Sequence, residues 1–184
     1  MGQTLTDQGI PYDVELTYHR LNIGAISFVK LLGDFSTWTE VSFIQNQRIM
    51  DDQLQADDYV GLTVGLDRLF IFENPEKQLK FLFQYLKNFT DSDNDYAVND
   101  IDHVLDHALL LDLNFQFNYT WKAHFRSVLN LNNISHYVSG GMDYKMTDQF
   151  SWNLHIDFLY GNPQHFFGHY HDNSRIFLTL KYQL

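Results

Sequence analysis

Polar and apolar side chains alternate along almost the whole of this chain, and this period of two is the feature that most constrains its fold. From Leu109 to Tyr119 every odd position is Leu, Phe or Tyr, while the even positions from Asp112 onward are Asp, Asn or Gln. A helix would scatter such residues around its circumference, whereas a strand places them on two faces. The same pattern runs through Phe150–Tyr160 and Ile176–Leu184. It predicts β-strands.

Nine segments alternate in this way, and a tenth is weaker. They run for roughly 10 to 13 residues, against about 5–6 in globular proteins and about 9–11 for tilted membrane-crossing strands. The lengths therefore favour an all-β, antiparallel, up-and-down transmembrane β-barrel of about 8–10 strands, with residues 1–184 as one domain and 1–12 as an N-terminal extension. The predicted strands are Leu21–Leu32, Phe35–Gln45, Tyr59–Ile71, Leu79–Phe89, Leu109–Tyr119, Lys122–Asn132, His136–Met146, Phe150–Tyr160 and Ile176–Leu184, with Asp13–His19 as the weaker tenth.

Composition excludes several other classes of protein. The net charge of −11 over 184 residues argues against a nucleic-acid partner. The absence of cysteine removes disulfides, thiolate metal sites and cysteine nucleophiles. Residues 1–4 have neither a basic start nor an apolar core, so no signal peptide is visible, and we expect a mature form.

The connections between the predicted strands alternate between short turns and mostly long loops. That is the pattern of outer-membrane barrels, whose short turns face the periplasm. If the C-terminus is periplasmic, all the long loops lie on the outer side. The short turns are at Gly33–Asp34, Phe72–Gln78, Thr120–Trp121 and Thr147–Asp148, and the long loops are Gln47–Asp58, Thr90–Asp106 and Asn162–Ser174.

The two faces of these strands differ in chemistry. The polar face is nearly neutral, as an enclosed lumen requires because unpaired charge in a narrow space is costly. The alternative is the solvated outer face of a soluble barrel. The predicted lumen-lining residues are Glu40, Asp67, Lys80, Asp112, Lys122, Arg126, Asp143, Lys145, Asp157, Arg175 and Lys181, with Asp13, Glu15 and Lys30 assigned to the same face. The predicted lipid-facing residues are Leu111, Leu113, Phe115, Phe117, Leu154, Ile156, Phe158, Leu178, Leu180 and Tyr182.

The three tryptophans all follow short turns, where aromatic rings suit a membrane interface. Trp121 and Trp152 fall on the apolar face. Trp38 falls on the polar face and requires a bulge or an inward role.

Two groups of residues raise the question of metal binding. The spacing of Asp91, Asp93 and Asp95 is like the start of a calcium loop, but neither the Gly nor the closing Glu follows. The second group is His165, His169, His171 and Asp172, which lie near Phe166, Phe167 and Tyr170 in one loop. Solubilising charge explains the first group more simply, and loop packing the second, so no metal or cofactor is predicted.

A barrel enzyme that acts on lipids would need a serine activated by a histidine. The suggestive residues are Ser135–His136 and Ser139, beside Gly140–Gly141, while His155 and Asp157 share one face. Lumenal polar groups explain the last two more simply, and we predict no enzymatic activity.

The C-terminal run Arg175–Leu184 resembles the terminal strand that the outer-membrane assembly machinery recognises, with Tyr182 third from the end and Leu184 in place of the usual Phe. Residues 20–184 further resemble bacterial outer-membrane barrels of the porin and alginate-export type. The motifs are Ile23-Gly24-Ala25, Leu32-Gly33, Trp38-x-Glu40, Asp58-Tyr59-Val60, Gly65-Leu66-Asp67 and Gly168 before Asn173-Ser174.

The resemblance implies a bacterial outer-membrane location, a lipid bilayer or detergent as partner, and recognition by the assembly machinery through Ile176–Leu184. Such relatives have more strands, which implies a C-terminal portion or a reduced version of a larger barrel. The function expected is a porin-like channel or a structural barrel with a charge-balanced lumen and acidic outer loops. The alternatives are a lipid-modifying barrel enzyme and a soluble ligand-binding β-barrel.

Overall fold

The computed structural model of the chain describes residues 5–7, 10–12, 21–46, 58–90 and 105–183. Within them, no helix has the length and apolarity needed to cross a membrane. The strands are β1 Leu5–Asp7, β2 Ile10–Tyr12, β3 Leu21–Leu32, β4 Phe35–Asn46, β5 Tyr59–Ile71, β6 Gln78–Thr90, β7 Ala108–Gln116, β8 Trp121–Asn130, β9 Ser135–Lys145, β10 Phe150–Tyr160 and β11 Arg175–Tyr182. One helical turn, α1 (Phe166–His169), and a 3-10 turn (His171–Asn173) precede β11.

Strands β3 to β11 form one nine-stranded sheet in which every strand pairs antiparallel with its neighbour in the chain. This confirms the prediction of an all-β, antiparallel, up-and-down fold. The sheet is not closed by hydrogen bonds, so β3 and β11 are its edges, and β1 pairs only with β2. The predicted tenth strand, Asp13–His19, lies outside the described residues.

The turns explain where several strands end. Gly33 has a φ of 61° in the two-residue connection between β3 and β4, a conformation that glycine adopts without strain. Strand β7 ends at Gln116, earlier than predicted, because Asn118 organises the next turn. The Asn118 side-chain oxygen accepts hydrogen bonds from the backbone N–H groups of Thr120 and Trp121 at 2.9 and 2.8 Å. Phe117 therefore lies in the turn.

Neighbouring strands are staggered along the sheet. One cross-strand row begins at Leu31, beside the Gly33–Asp34 turn, and ends at Arg175, the first residue of β11 and at the opposite end of the strands. Such a stagger is what tilted strands need in order to curve towards a barrel. The complete row is Leu31, Ser36, Asp67, Leu82, Asp112, Arg126, Ser139, Asp157 and Arg175.

Burial in this sheet is the reverse of that in a water-soluble protein. Within the described part of the chain, the buried hydrophobic residues are Ala108, Val128 and Phe167. The buried polar residues outnumber them. They are Asp112, Asn130, Ser135, Ser139 and Asp157.

Candidate functional site

The strand register places all eleven predicted lumen-lining residues on the same side of the sheet, which we name the polar face. Side chains directly opposite each other in neighbouring strands share a face, as do residues two apart in one strand. The residues are Glu40, Asp67, Lys80, Asp112, Lys122, Arg126, Asp143, Lys145, Asp157, Arg175 and Lys181.

The prediction that Lys30 lies on the polar face is wrong. It pairs with Thr37, which pairs with Leu66, and this row continues to Leu111 on the opposite side of the sheet. Local alternation could not set the phase because the residues on both sides of Lys30 are apolar. Asp13 and Glu15 lie outside the described residues.

Asp112 and Arg126 form the first ion pair of the polar face. Asp112 Oδ2 accepts hydrogen bonds from Arg126 Nε at 2.8 Å and from Nη2 at 2.6 Å. Asn114 donates to the other carboxylate oxygen. The Asp112 side chain is 11% exposed, so these bonds replace the water that its charge has lost.

Asp157 is the second buried carboxylate of this face that neighbouring side chains satisfy. Its Oδ1 accepts a hydrogen bond from the Tyr137 hydroxyl at 2.7 Å and lies 3.0 Å from His155 Nε2. Its Oδ2 accepts a hydrogen bond from Arg175 Nε at 2.9 Å. With only 6% of Asp157 exposed, three side chains from β9, β10 and β11 satisfy one buried carboxylate. Together with Ser139, these residues form the Asp157 network.

The Asp157 network does not form a catalytic triad. Ser139 Oγ and Asp157 Oδ1 meet the same ring nitrogen, His155 Nε2, at 3.1 and 3.0 Å. A carboxylate only accepts, so that nitrogen carries a proton and has no lone pair with which to activate the serine. The other suggested pair is also separated, because adjacent Ser135 and His136 point to opposite faces.

A second imidazole joins the network across an intervening strand. His124 Nε2 of β8 lies 3.1 Å from His155 Nδ1 of β10, and the residue between them on β9 is Gly141. A Cβ at Gly141 would collide with the His124 ring. The missing side chain is therefore what allows the two rings to meet.

The loop between β10 and β11 folds back onto the polar face. Phe167, on α1, is 6% exposed and stacks on Tyr137 with ring centroids 6.2 Å apart. It packs against Val128, and Leu110 and Leu159 complete the cluster. We call residues 161–174 the inward loop.

The predicted histidine cluster lies in the inward loop, where its residues make local contacts. His171 Nδ1 is 3.0 Å from the Gly168 carbonyl oxygen, and His171 Nε2 is 2.9 Å from Asp172. Among the described residues, no group of three or more His, Asp or Glu side chains is arranged to hold a metal ion. Asp91, Asp93 and Asp95 lie outside them.

The short-turn end of the polar face is rich in lysine. A cleft of about 490 Å³ is lined by Lys122, Lys145 and Lys181, together with Asp143 and Asp148. Asp148 lies 2.7 Å from Lys145, whose ammonium lowers the pKa of that carboxyl below its usual value.

The other side of the sheet, the apolar face, holds all ten predicted lipid-facing positions. Nine of them are strand residues that the cross-strand register places on this face. The tenth, Phe117, follows β7 in the turn, and its ring centroid lies 4.3 Å from that of Phe115. Several are well exposed, with Leu178 at 60% and Leu180 at 61%. The residues are Leu111, Leu113, Phe115, Phe117, Leu154, Ile156, Phe158, Leu178, Leu180 and Tyr182.

Aromatic rings cluster at both ends of the apolar face. At the short-turn end, Trp121 lies 4.3 Å from Tyr144 and 5.6 Å from Trp152, centroid to centroid. At the other end, His136 and Tyr160 lie 5.0 Å apart. The register confirms the faces predicted for all three tryptophans.

Trp38 lies on the polar face, and no bulge interrupts the pairing of its strand. Its ring occupies the space where a Cβ of Gly65 would lie, so the glycine opposite accommodates the indole. A Gly facing a Trp on a polar-face row is the signal that could have predicted this contact.

Comparison with protein-family models, with curated proteins and with solved structures finds no match to this chain. The site is therefore interpreted from its own geometry. Sequence reasoning missed Arg68 and Lys87, which lie on the apolar face with Lys30. It also missed the inward position of Phe167, because nothing in a loop sequence specifies the surface on which it packs.

Proposed function

We propose that the nine-stranded sheet is the wall of a β-barrel that spans the bacterial outer membrane, with the apolar face towards lipid and the polar face around a narrow interior. The observation that carries this proposal is the inverted burial. Buried charged groups are paired on one face, and large apolar side chains remain exposed on the other.

The size of the exposed apolar surface supports a lipid environment. About a dozen large hydrophobic residues on the apolar face, such as Phe28 at 70% and Leu180 at 61%, are roughly half exposed. With side chains of about 150–200 Å², this amounts to on the order of 1,000 Å², beyond the few hundred that soluble monomers tolerate. At about 25 cal/mol per Å², transferring this surface from water to hydrocarbon would be favourable by on the order of 25 kcal/mol.

The height of the apolar face also fits a bilayer. Strand β10 runs from Phe150 to Tyr160, so both ends carry aromatic rings on this face. With a rise of about 3.4 Å per residue and a tilt of about 40°, it spans about 26 Å, close to the apolar band of roughly 25 Å in outer-membrane barrels.

The inward loop supports a narrow barrel over an open pore. Phe167 and its neighbours fill part of the polar face at the end where the long loops lie. We therefore propose a porin-like or structural barrel whose interior passes at most small solutes while this loop is in place.

The direct test is refolding into detergent or vesicles, followed by gel migration with and without heating. A compact, heat-modifiable band and protease protection of the strands support the proposal. A detergent-free, monodisperse monomer would overturn it in favour of a soluble barrel. Planar-bilayer recordings then compare the wild type with a variant in which Gly-Ser residues replace residues 163–172. Larger conductance steps in the variant support the narrowing role of the loop, and equal steps contradict it.

A further inference from the structure

The apolar face carries three charged side chains within strands β3 to β11, and all three are cations. They are Lys30, Arg68 and Lys87. Every acidic residue of the same nine strands lies on the polar face. Long basic side chains on a lipid-facing surface extend their charge to the headgroup layer, where phosphates attract cations and repel carboxylates.

Arg68 is held in place on this face by aromatic rings. Its guanidinium carbon lies 4.4 Å from the ring centroid of Phe70 and 5.0 Å from that of Phe35. Arg68 Nη2 donates a hydrogen bond to Asp34 at 2.6 Å, while the buried Nε makes none within the described residues. The bond to Asp34 uses Nη2, and the buried Nε does not face a ligand, so the terminal nitrogens are the part of the planar fork that would meet a phosphate.

Lys30 lies close enough to serve the same ligand. It is exposed on β3 and pairs with Thr37 on β4. Thr37 in turn pairs with Leu66, which lies two residues before Arg68 on β5. At about 4.8 Å per strand and 3.4 Å per residue, the two Cα atoms are about 12 Å apart. Two long side chains bridge that distance around one headgroup. Both residues lie at the short-turn end, whereas Lys87 lies at the other end and is paired with Asp106 at 3.2 Å.

We propose that Arg68 and Lys30 form a binding site for the headgroup phosphate of an anionic phospholipid, at the short-turn end of the apolar face. The inference rests on the proposed membrane-spanning barrel. Asp34 opposes the bound lipid, because its carboxylate competes with the phosphate for the guanidinium. Removing the Asp34 charge should therefore strengthen lipid binding even though it breaks a salt bridge.

The experiment uses the full chain refolded into phosphatidylcholine vesicles that contain spin-labelled phosphatidylglycerol or spin-labelled phosphatidylcholine. Electron paramagnetic resonance gives the fraction of each label that the protein immobilises, and hence its relative association constant. A basic residue near an anionic surface contributes about five-fold. We expect the wild type to prefer phosphatidylglycerol several-fold. Arg68→Gln with Lys30→Gln should remove that preference, and Asp34→Asn should raise it by about two- to five-fold. Lys87→Gln is the matched control and should leave it unchanged.

Three outcomes overturn the site: no preference in the wild type, an unchanged preference in the Arg68→Gln, Lys30→Gln double variant, or a reduced one in Asp34→Asn. Inorganic phosphate added to the vesicles tests the source of the phosphate group. If inorganic phosphate at the same concentration as the labelled phosphatidylglycerol displaced that label, the site would bind free anions, and the lipid assignment would be contradicted. Heat-modifiable migration is checked first for each variant. A wild type that does not insert refutes the barrel itself, whereas an inserted protein without lipid selectivity refutes this site alone.

Discussion

The two halves of the sheet are built differently. Across β7 to β11, the polar face is tied together by the Asp112–Arg126 pair and the Asp157 network, and the inward loop packs on it. Across β3 to β5, the same face holds Trp38 over Gly65 and, among the described residues, no salt bridge at Asp67. Edge strand β3 is exposed on both sides, with Val29 and Phe28 each at 70%. The backbone ladder is continuous through both halves. The difference shows that side-chain pairing, and not strand pairing, distinguishes the more buried half from the more exposed one.

The largest expected effect comes from Asp157→Asn. The substitution removes the negative charge that pairs with Arg175. It also replaces the carboxylate, which only accepts hydrogen bonds from Tyr137 and His155, with an amide that carries donors as well. We expect a loss of about 3 kcal/mol in the free energy of unfolding, measured by urea titration in detergent micelles. Asp67→Asn, in the same cross-strand row, is the matched control and should change stability by less than about 0.5 kcal/mol. Equal losses in both variants would remove the distinction between the two halves.

Phe167→Ala should have the next largest effect, because it removes the centre of the apolar cluster on the polar face. We expect about 2 kcal/mol of destabilisation, less than for a full core because the cluster is small. Limited proteolysis should then cut the inward loop, which the wild type protects. Phe28→Ala, at the exposed edge strand, should leave that loop protected. A protected loop in Phe167→Ala would show that other contacts hold it.

Gly141→Ala tests the contact between the two imidazoles. The new methyl group would displace His124 from His155, and overpacking of this kind costs about 1–2 kcal/mol. Gly24→Ala is the control from the other half, since no atom lies within 4 Å of the position of its Cβ. The chemical shifts of the two histidine rings should change in Gly141→Ala and stay constant in Gly24→Ala. Unchanged shifts in Gly141→Ala would mean that the rings do not meet.

The smallest effect concerns Asp148 and Lys145, in the exposed turn between β9 and β10. Because Lys145 lowers the pKa of Asp148 in the folded state, the pair stabilises the fold above the unfolded pKa, and this contribution is lost as the pH falls through the folded pKa. The free energy of unfolding of Asp148→Asn should therefore be slightly lower than that of the wild type near neutral pH, and the two values should converge in acid. A stability difference between the two proteins that grew as the pH fell would contradict this expectation.

Local sequence pattern predicted the strands and faces well but not the contacts. The nine strands were identified with small errors at their ends, such as at Gln116, where a side-chain cap ends the strand. Ser139, His155 and Asp157 were each noted, but their shared contact at one ring nitrogen depends on the register of β9 and β10. Lys30 was misassigned for the same reason, since only its pairing with Thr37 sets its face.

By itself, the sequence determined the strands, their antiparallel order and the opposite chemistry of the two faces, because these follow from a period of two and from short turns between neighbouring segments. Only the tertiary structure decided which charges meet, that Gly141 lets His124 reach His155, that Phe167 turns inward, and that three cations stand among the apolar side chains. Those features depend on cross-strand register and on contacts between residues far apart in the chain, which no local pattern encodes.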